Sequence, residues 1–368
     1  MDLTSYRTLG RSGLIVSPLA LGTMTFGAGR WGSGSKASRA LFDTYIAAGG
    51  NFFDTADVYS GGRSEEMLGD FVAEAGLRDR VVIATKSGFS RSQGTPLHGG
   101  NGAKNIRLGI EGSLKRLQTD YIDMYWIHVW DRTTPAEEVL QSLTDAVRSG
   151  KILHYGFSNT PAWYVAKLAT LAAAHGLPVP IGLQYAYSLV DRGVELDILP
   201  AAAELGMDLV PWSPLAAGLL TGKYGRDMLS RAGPAGGLPD TAGDGGEVES
   251  DGRLNGDNPF GGLLFTEQNF AVVDVLRAVA AEMDRPMAAV ALAWLMQRPG
   301  VGSVLVGASR VAQLAENIAS LEIVLTTEHL GRLDAIGAPP AFNPYFIFDL
   351  PRKVIFGGTT VRPWVRPG

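Results

Sequence analysis

Short apolar runs recur eight times along the chain with helical segments between them, and no other feature narrows its possible folds so far. In order they are "PLALGTM" (18–24), "NFFDTA" (51–56), "VVIATK" (81–86), "YIDMYWIH" (121–128), "ILHYGFSN" (152–159), "IGLQYAYS" (181–188), "MDLVPWS" (207–213) and "GSVLVGA" (302–308). Their apolar residues are nearly continuous, the pattern of parallel strands covered on both faces. The intervening segments carry helix punctuation. "SKASRALFDTYIAAGG" opens on a serine expected to cap it and closes on glycines. "NIRLGIEGSLKRL" lines up Ile106, Ile110 and Leu114, with Leu117 beside them. "TPAEEVLQSLTDAVRSG" offers Thr134 as cap, Pro135 as first helical residue and acids in the first turn. The alternation predicts an α/β chain folded as a (β/α)8 TIM barrel, with an open doubly wound sheet as the alternative.

A length of 368 residues suits one such barrel, so a single domain over 1–368 is expected. Two stretches interrupt the rhythm. Residues 226–262, after the seventh run, are rich in Gly, Asp and Pro and form either a lid or a surface insertion. Residues 338–368 are aromatic and Pro-rich without helical period, and are expected to form an extended C-terminal tail.

Composition removes several classes of function. A net charge of -5 gives no footprint for nucleic acid. The absence of cysteine rules out disulfides, thiolate catalysis and cysteine-ligated metals. His98, His128, His154, His175 and His329 lack zinc-like spacing, so no metal site is expected. No run approaches the roughly 18–20 apolar residues of a membrane span, and the N-terminus has no signal-peptide pattern. A cytoplasmic protein is expected. The hexapeptide "GAGRWG" (27–32) matches the dinucleotide pattern G-x-G-x-x-G, but "SGS" still separates it from the next helical segment. It reads better as a glycine loop.

The ionisable residues at the strand ends remain. In a barrel the C-terminal strand ends converge on one face, and that face carries the active site. Those ends supply Asp54, Lys86 and His128, and the loop after Asp54 supplies Tyr59. Each has an ordinary structural explanation alone; together they form a chemical set. Free tyrosine has a pKa of about 10, a nearby ammonium lowers it, and a carboxylate holds the ammonium in place. A histidine within reach can donate to a carbonyl oxygen. The set suits protonation of a carbonyl oxygen while a cofactor supplies the attacking hydride.

The sequence resembles the aldo-keto reductase superfamily over almost its whole length. The likeness runs through "YRTLGRSGLIVSPLALGTMTFG", "FFDTADVYSGGRSEEMLG", "VVIATKSG", "GSLKRLQTDYIDMYWIH", "GKILHYGFSN", "LQYAYSLVDR", "PWSPLAAGLLTGKY" and "VGASRVAQLAENI". That resemblance implies a barrel binding NADP(H), with NAD(H) less favoured, and a tetrad of Asp54, Tyr59, Lys86 and His128. Tyr59 becomes the general acid or base, Lys86 lowers its pKa, Asp54 pairs with Lys86, and His128 orients the carbonyl of a small aldehyde, ketone or alcohol.

The resemblance also implies cofactor positions. Gly22, Thr23, Met24 and Asp54 lie at the first two strand ends; Ser158, Asn159 and Gln184 hold the nicotinamide amide; Trp212 stacks on its ring. Ser213, Leu215, Gly218 and Lys223 line the pyrophosphate, and Gly307, Ser309, Arg310, Gln313, Glu316 and Asn317 the adenosine end. Many members carry Lys at the place of Gly307 and Arg at that of Gln313, leaving Arg310 to meet a 2′-phosphate. Phe26, Trp31 and Trp130 are candidates for an apolar substrate pocket. The alternative function is a nucleotide-binding regulatory subunit, as in the related potassium-channel β subunits.

Overall fold

The computed structural model describes residues 1–29, 32–231, 254 and 261–362. Trp31 and the centre of the 226–262 stretch therefore lie outside the described residues. A small antiparallel hairpin comes first, β1 (Arg7–Thr8) with β2 (Ile15–Val16). The main sheet is built from β3 (Leu19–Gly22), β4 (Phe52–Asp54), β5 (Val82–Ser87), β6 (Ile122–Ile127), β7 (Ile152–Ser158), β8 (Gly182–Gln184), β9 (Asp208–Leu209) and β10 (Val304–Val306). All eight are parallel, in the order β10-β3-β4-β5-β6-β7-β8-β9. Backbone bonds close the remaining gap: Leu209 N to Gly300 O (2.7 Å), Gly302 N to Leu209 O (2.9 Å) and Leu305 N to Pro211 O (3.0 Å). The fold is a (β/α)8 barrel.

Period-two alternation along each strand divides the core into two layers. Ala20, Phe52, Val82, Ala84, Met124, Trp126, Val210 and Leu305 fill the barrel, with Leu9, Leu14 and Val16 of the hairpin segment in the same cluster. Leu21, Phe53, Ile83, Tyr125, Phe157, Leu183 and Val304 face the helices instead. Those helices are α1 (Ser35–Ala47), α2 (Arg63–Ala75), α3 (Ala103–Leu117), α4 (Ala136–Arg148), α5 (Ala162–Ala174), α6 (Ile198–Leu205), α7 (Gly261–Leu264), α8 (Glu267–Glu282), α9 (Met287–Met296), α10 (Val311–Ala319) and α11 (Thr327–Ile336). On α3 Ile106 and Ile110 of the expected stripe are buried with Leu117 beside them, while Leu114 is only partly buried against the same core.

Two helix starts differ from the sequence expectation. Gly34, not Ser35, takes the cap position of α1, and no side chain bonds there. Pro135, not Thr134, precedes α4. Pro161 and Pro286 precede α5 and α9 in the same extended conformation. Proline fixes φ near its helical value and lacks an N–H, so it serves as the last extended residue. Helix α1 also starts beyond the "GAGRWG" glycines, so the strand–turn–helix unit of a dinucleotide motif is not formed there.

The chain divides into two compact units, Met1–Gly337 and Ala338–Gly368. The barrel is the first. The second carries the one-turn helices α12 (Tyr345–Phe348) and α13 (Arg352–Ile355), with Tyr345 edge-on to Phe342 (5.1 Å) and Phe348 (5.8 Å).

Candidate active site

Asp54, Lys86 and His128 each follow an inward residue by two places: Phe52, Ala84 and Trp126 respectively. Parity alone therefore aims all three into the barrel. Asp54 ends β4 opposite Gly22 on one side and Ala84 on the other. Lys86 sits one inward layer higher, on β5.

The Lys86 ammonium donates to Asp54 Oδ1, to the Thr55 carbonyl (2.6 Å) and to the Tyr59 hydroxyl (3.3 Å). Both side chains of the Lys86–Asp54 pair are almost wholly buried. Burying an ion costs several kcal/mol unless partners replace its water. Burial alone would lower the Lys86 pKa, but Asp54 and Tyr59 outweigh it and hold the ammonium above its ordinary range. The second oxygen of Asp54 accepts from Trp126 Nε1 (3.1 Å) and Gln184 Nε2 (2.9 Å).

The chain leaving β4 stays pinned to β5, through Thr55 N to Ala84 O (2.9 Å) and Asp57 N to Lys86 O (3.0 Å). It then turns sharply. Ser60, Gly61 and Gly62 all have positive φ (50°, 63° and 97°), so α2 begins only at Arg63. Two glycines make that turn inexpensive; Ser60 bears strain and anchors its hydroxyl on the Phe26 carbonyl (3.1 Å). Tyr59, half-buried at the head of the turn, lies edge-on to His128 with 5.9 Å between ring centroids. Burial, with the Lys86 charge adding to it, drives the His128 pKa well below its usual value. The imidazole is neutral at physiological pH and offers one ring N–H. Its Nδ1 finds no hydrogen-bond partner among the described residues.

Cofactor candidates occupy the same face. The Asn159 side chain donates to the His128 carbonyl (3.0 Å) and to Ser158 Oγ (2.9 Å). Trp212 is half-buried against the inner barrel cluster. Beyond it Ser213, Ala216, Ala217 and Gly218 all have positive φ, a backbone form that makes anion-binding concavities. A Cβ at Gly218 would lie 3.0 Å from Lys223 Cε and 3.1 Å from its Nζ, so the glycine lets that ammonium approach the turn. Leu215 opens the turn and accepts from Gly218 N (2.9 Å). Gly307 has open space where a side chain would be. Gln313 accepts from Ser309 through both backbone and hydroxyl (3.1 Å each), and Asn317 reaches the Gly307 carbonyl (3.5 Å). Arg310 and Glu316 are exposed.

Some candidates sit elsewhere in the architecture. Thr23 is fully buried, its hydroxyl shared between Ser64 (2.8 Å) and the Asp54 carbonyl (3.2 Å). Gly22 and Met24 flank it, partly buried. Gln184 directs its amide N–H to Asp54. Phe26 is fully buried in the helix-facing core with its ring 6.1 Å from Phe71, not at the barrel mouth. Trp130 also packs on that outer layer, near Trp163 (5.6 Å) and Tyr164 (6.1 Å). The aromatic wall beside the tetrad is instead Phe89, edge-on to His128 at 4.7 Å. Sequence reading passed over Phe89, Trp126, Asp57 and Arg91. Trp126 was accessible to it, since it shares the parity of His128.

Among the described residues no cluster of His, Cys, Asp and Glu could hold a metal ion, and no helix is long and apolar enough to cross a membrane. The model of the aldo/keto reductase family matches residues 18–338. Norsolorinic acid reductase of Aspergillus flavus is 34% identical over 361 residues, covering 95% of this chain and 85% of that protein. Aryl-alcohol dehydrogenase [NADP(+)] of Phanerodontia chrysosporium is 33% identical over 352 residues, covering 91% and 86%. A probable voltage-gated potassium channel subunit beta of Oryza sativa subsp. japonica is 34% identical over 337 residues, covering 90% and 96%. A family match across most of the chain, joined to relatives a third identical over nine-tenths of it, leads to one conclusion: this protein belongs to the aldo/keto reductase family of oxidoreductases.

Proposed function

We propose that the protein is an NADP(H)-dependent reductase of aldehydes or ketones, working in reverse on alcohols, with Tyr59 as its general acid and base. The observation that carries this reading is the Tyr59 hydroxyl 3.3 Å from an ammonium that Asp54 holds in the barrel. NADP(H), when bound, supplies or takes up the hydride. During reduction Tyr59 gives its phenolic proton to the carbonyl oxygen, and Lys86 stabilises the phenolate left behind. Neutral His128 donates its N–H to the same oxygen and orients it. In alcohol oxidation the phenolate takes the proton back.

Several residues fit the cofactor. Ser158 and Asn159 would hold the nicotinamide amide and Trp212 its ring. The 213–218 turn and Lys223 would take the pyrophosphate, and Arg310 the 2′-phosphate, with Ser309, Gln313, Glu316 and Asn317 around the adenosine. The absence of cysteine agrees with a cytoplasmic site of action, and small carbonyl compounds are the partners.

Tyr59→Phe tests the acid. NADPH binding by fluorescence should persist while aldehyde-dependent NADPH oxidation falls at least ~100-fold, the lower end for general-acid catalysis; undiminished turnover would sink the assignment. Binding without turnover in the parent, across aromatic aldehydes and bulky ketones, would favour a regulatory subunit. Arg310→Ala tests the cofactor: the Kd for NADPH should rise roughly tenfold or more, with that for NADH little changed. Equal losses for the two would remove Arg310 from the role.

A further inference from the structure

The turn that presents Tyr59 contains a second carboxylate, Asp57, which the tetrad does not use. Its side chain is fully buried, and Oδ2 pairs with Arg91 Nη1 at 2.9 Å. Oδ1 is buried without a hydrogen-bond partner among the described residues. Arg91 belongs to the segment between β5 and α3, the same segment that brings Phe89 against His128. Its other nitrogen, Nη2, donates to Asn105 Oδ1 on α3 (2.6 Å), and its backbone N–H to the His98 carbonyl (3.0 Å). The Asp57 backbone N–H meets the carbonyl of Lys86. One ion pair thus ties the turn of the acid to the loop of the aromatic wall.

We propose that Asp57 and Arg91 are a positioning pair that holds the Tyr59 turn against the Phe89 wall only while the Asp57 carboxylate is charged. This rests on the reading of the site as a carbonyl reductase. Charged and titratable groups face Asp57 from every side: Arg91 from the 88–102 segment, Glu65 from α2, Arg116 from α3 and Tyr125 from β6. Burial dominates and pushes the carboxyl up to about 6; the Arg91 hydrogen bond opposes it, Glu65 adds to it, and Arg116 opposes it. Above that pH the carboxylate is charged and the pair is made. As pH falls through it, Asp57 takes a proton, the charge-assisted bond is lost, and Arg91 keeps its side-chain anchor on Asn105 and its backbone bond to His98, neither of which reaches the Tyr59 turn. The carbonyl pocket then loosens at the Phe89 side, while the cofactor positions beyond β7 and β9 are untouched.

The test measures kcat and KM for benzaldehyde, and Kd for NADPH, from pH 5 to 8. It compares the parent chain, Asp57→Asn and Arg91→Gln, and adds hydrogen exchange of the 89–100 amides. In the parent, KM should rise roughly tenfold as pH falls through about 6, the size of one charge-assisted hydrogen bond. Both variants should show the high KM at every pH, lack that step, bind NADPH normally and exchange faster than the parent over 89–100 at pH 7.5. An Asp57→Asn profile that keeps the parent's step in KM overturns the proposal, as does equal exchange in parent and variant at pH 7.5. If no carbonyl is turned over, the reductase reading fails while the exchange comparison still decides whether the pair holds the loop.

Discussion

Asp54 accepts from three side chains, each on a different strand: Lys86 on β5, Trp126 on β6 and Gln184 on β8. That spread makes one carboxylate the hub that fixes the barrel's upper layer, and it explains how a lysine can stay charged with almost no water around it. His128 is the opposite case, a base held neutral by burial. Its folded pKa lies below the unfolded value of about 6.5, so below pH 6.5 the unfolded chain binds more protons and folding loses stability. Asp57 slopes the other way below about 6, because its folded pKa is raised. The useful quantity is therefore the parent measured against His128→Gln, which shares Asp57. From pH 7.5 to 5.5 the parent should lose stability relative to the variant by about 1 kcal/mol, approaching 1.4 kcal/mol per pH unit below 6.5. Urea unfolding at the two pH values decides it, and a constant difference would mean the histidine titrates normally.

Strands β7 and β8 approach too closely for side chains at two inward positions. A Cβ on Gly156 would sit 2.2 Å from the Gly182 carbonyl and 2.7 Å from both Met124 and Trp126; one on Gly182 would meet Trp126 at 3.0 Å. The two glycines form the slot for the Trp126 indole and thereby aim its N–H at Asp54. Gly156→Ala should cost at least about 1–3 kcal/mol by overpacking, and should lower turnover as the indole shifts. A thermal melt matching the parent would refute the slot. Much at this scale was legible in sequence. The apolar runs marked the strands and their C-terminal ends marked Asp54, Lys86 and His128, which the period of two in the folded strands turns into the barrel. The slot was not, since it depends on which strand lies beside which. Phe26 was misplaced for a related reason: the chain after β3 folds back, with Phe26 N on Thr23 O and Gly27 N on Ser33 O, and turns the ring under the helices. The helix caps fell one residue off because proline and glycine ended the extended segments without any side-chain bond.

For the whole molecule, the barrel geometry brings Asp54, Lys86 and His128 together from the ends of its second, third and fourth main strands, with Tyr59 in the turn after the second. The resemblance that spans the chain was readable because it lies in those strand ends and the loops after them. The Asp57–Arg91 pair was not, since nothing in sequence links a residue after β4 to one after β5 until both loops are folded. Closure has a further consequence. The last strand, β10, pairs Val304 with Leu19 and Leu305 with Ala20, while Leu209 bonds to Gly300 and Gly302. A ribosome therefore releases Asp54, Tyr59, Lys86 and His128 long before the segment that seals the ring between the first and seventh staves exists. The growing polypeptide holds its chemistry early and its enclosure late, and the edge of β3 waits, unpaired on that side, through most of synthesis.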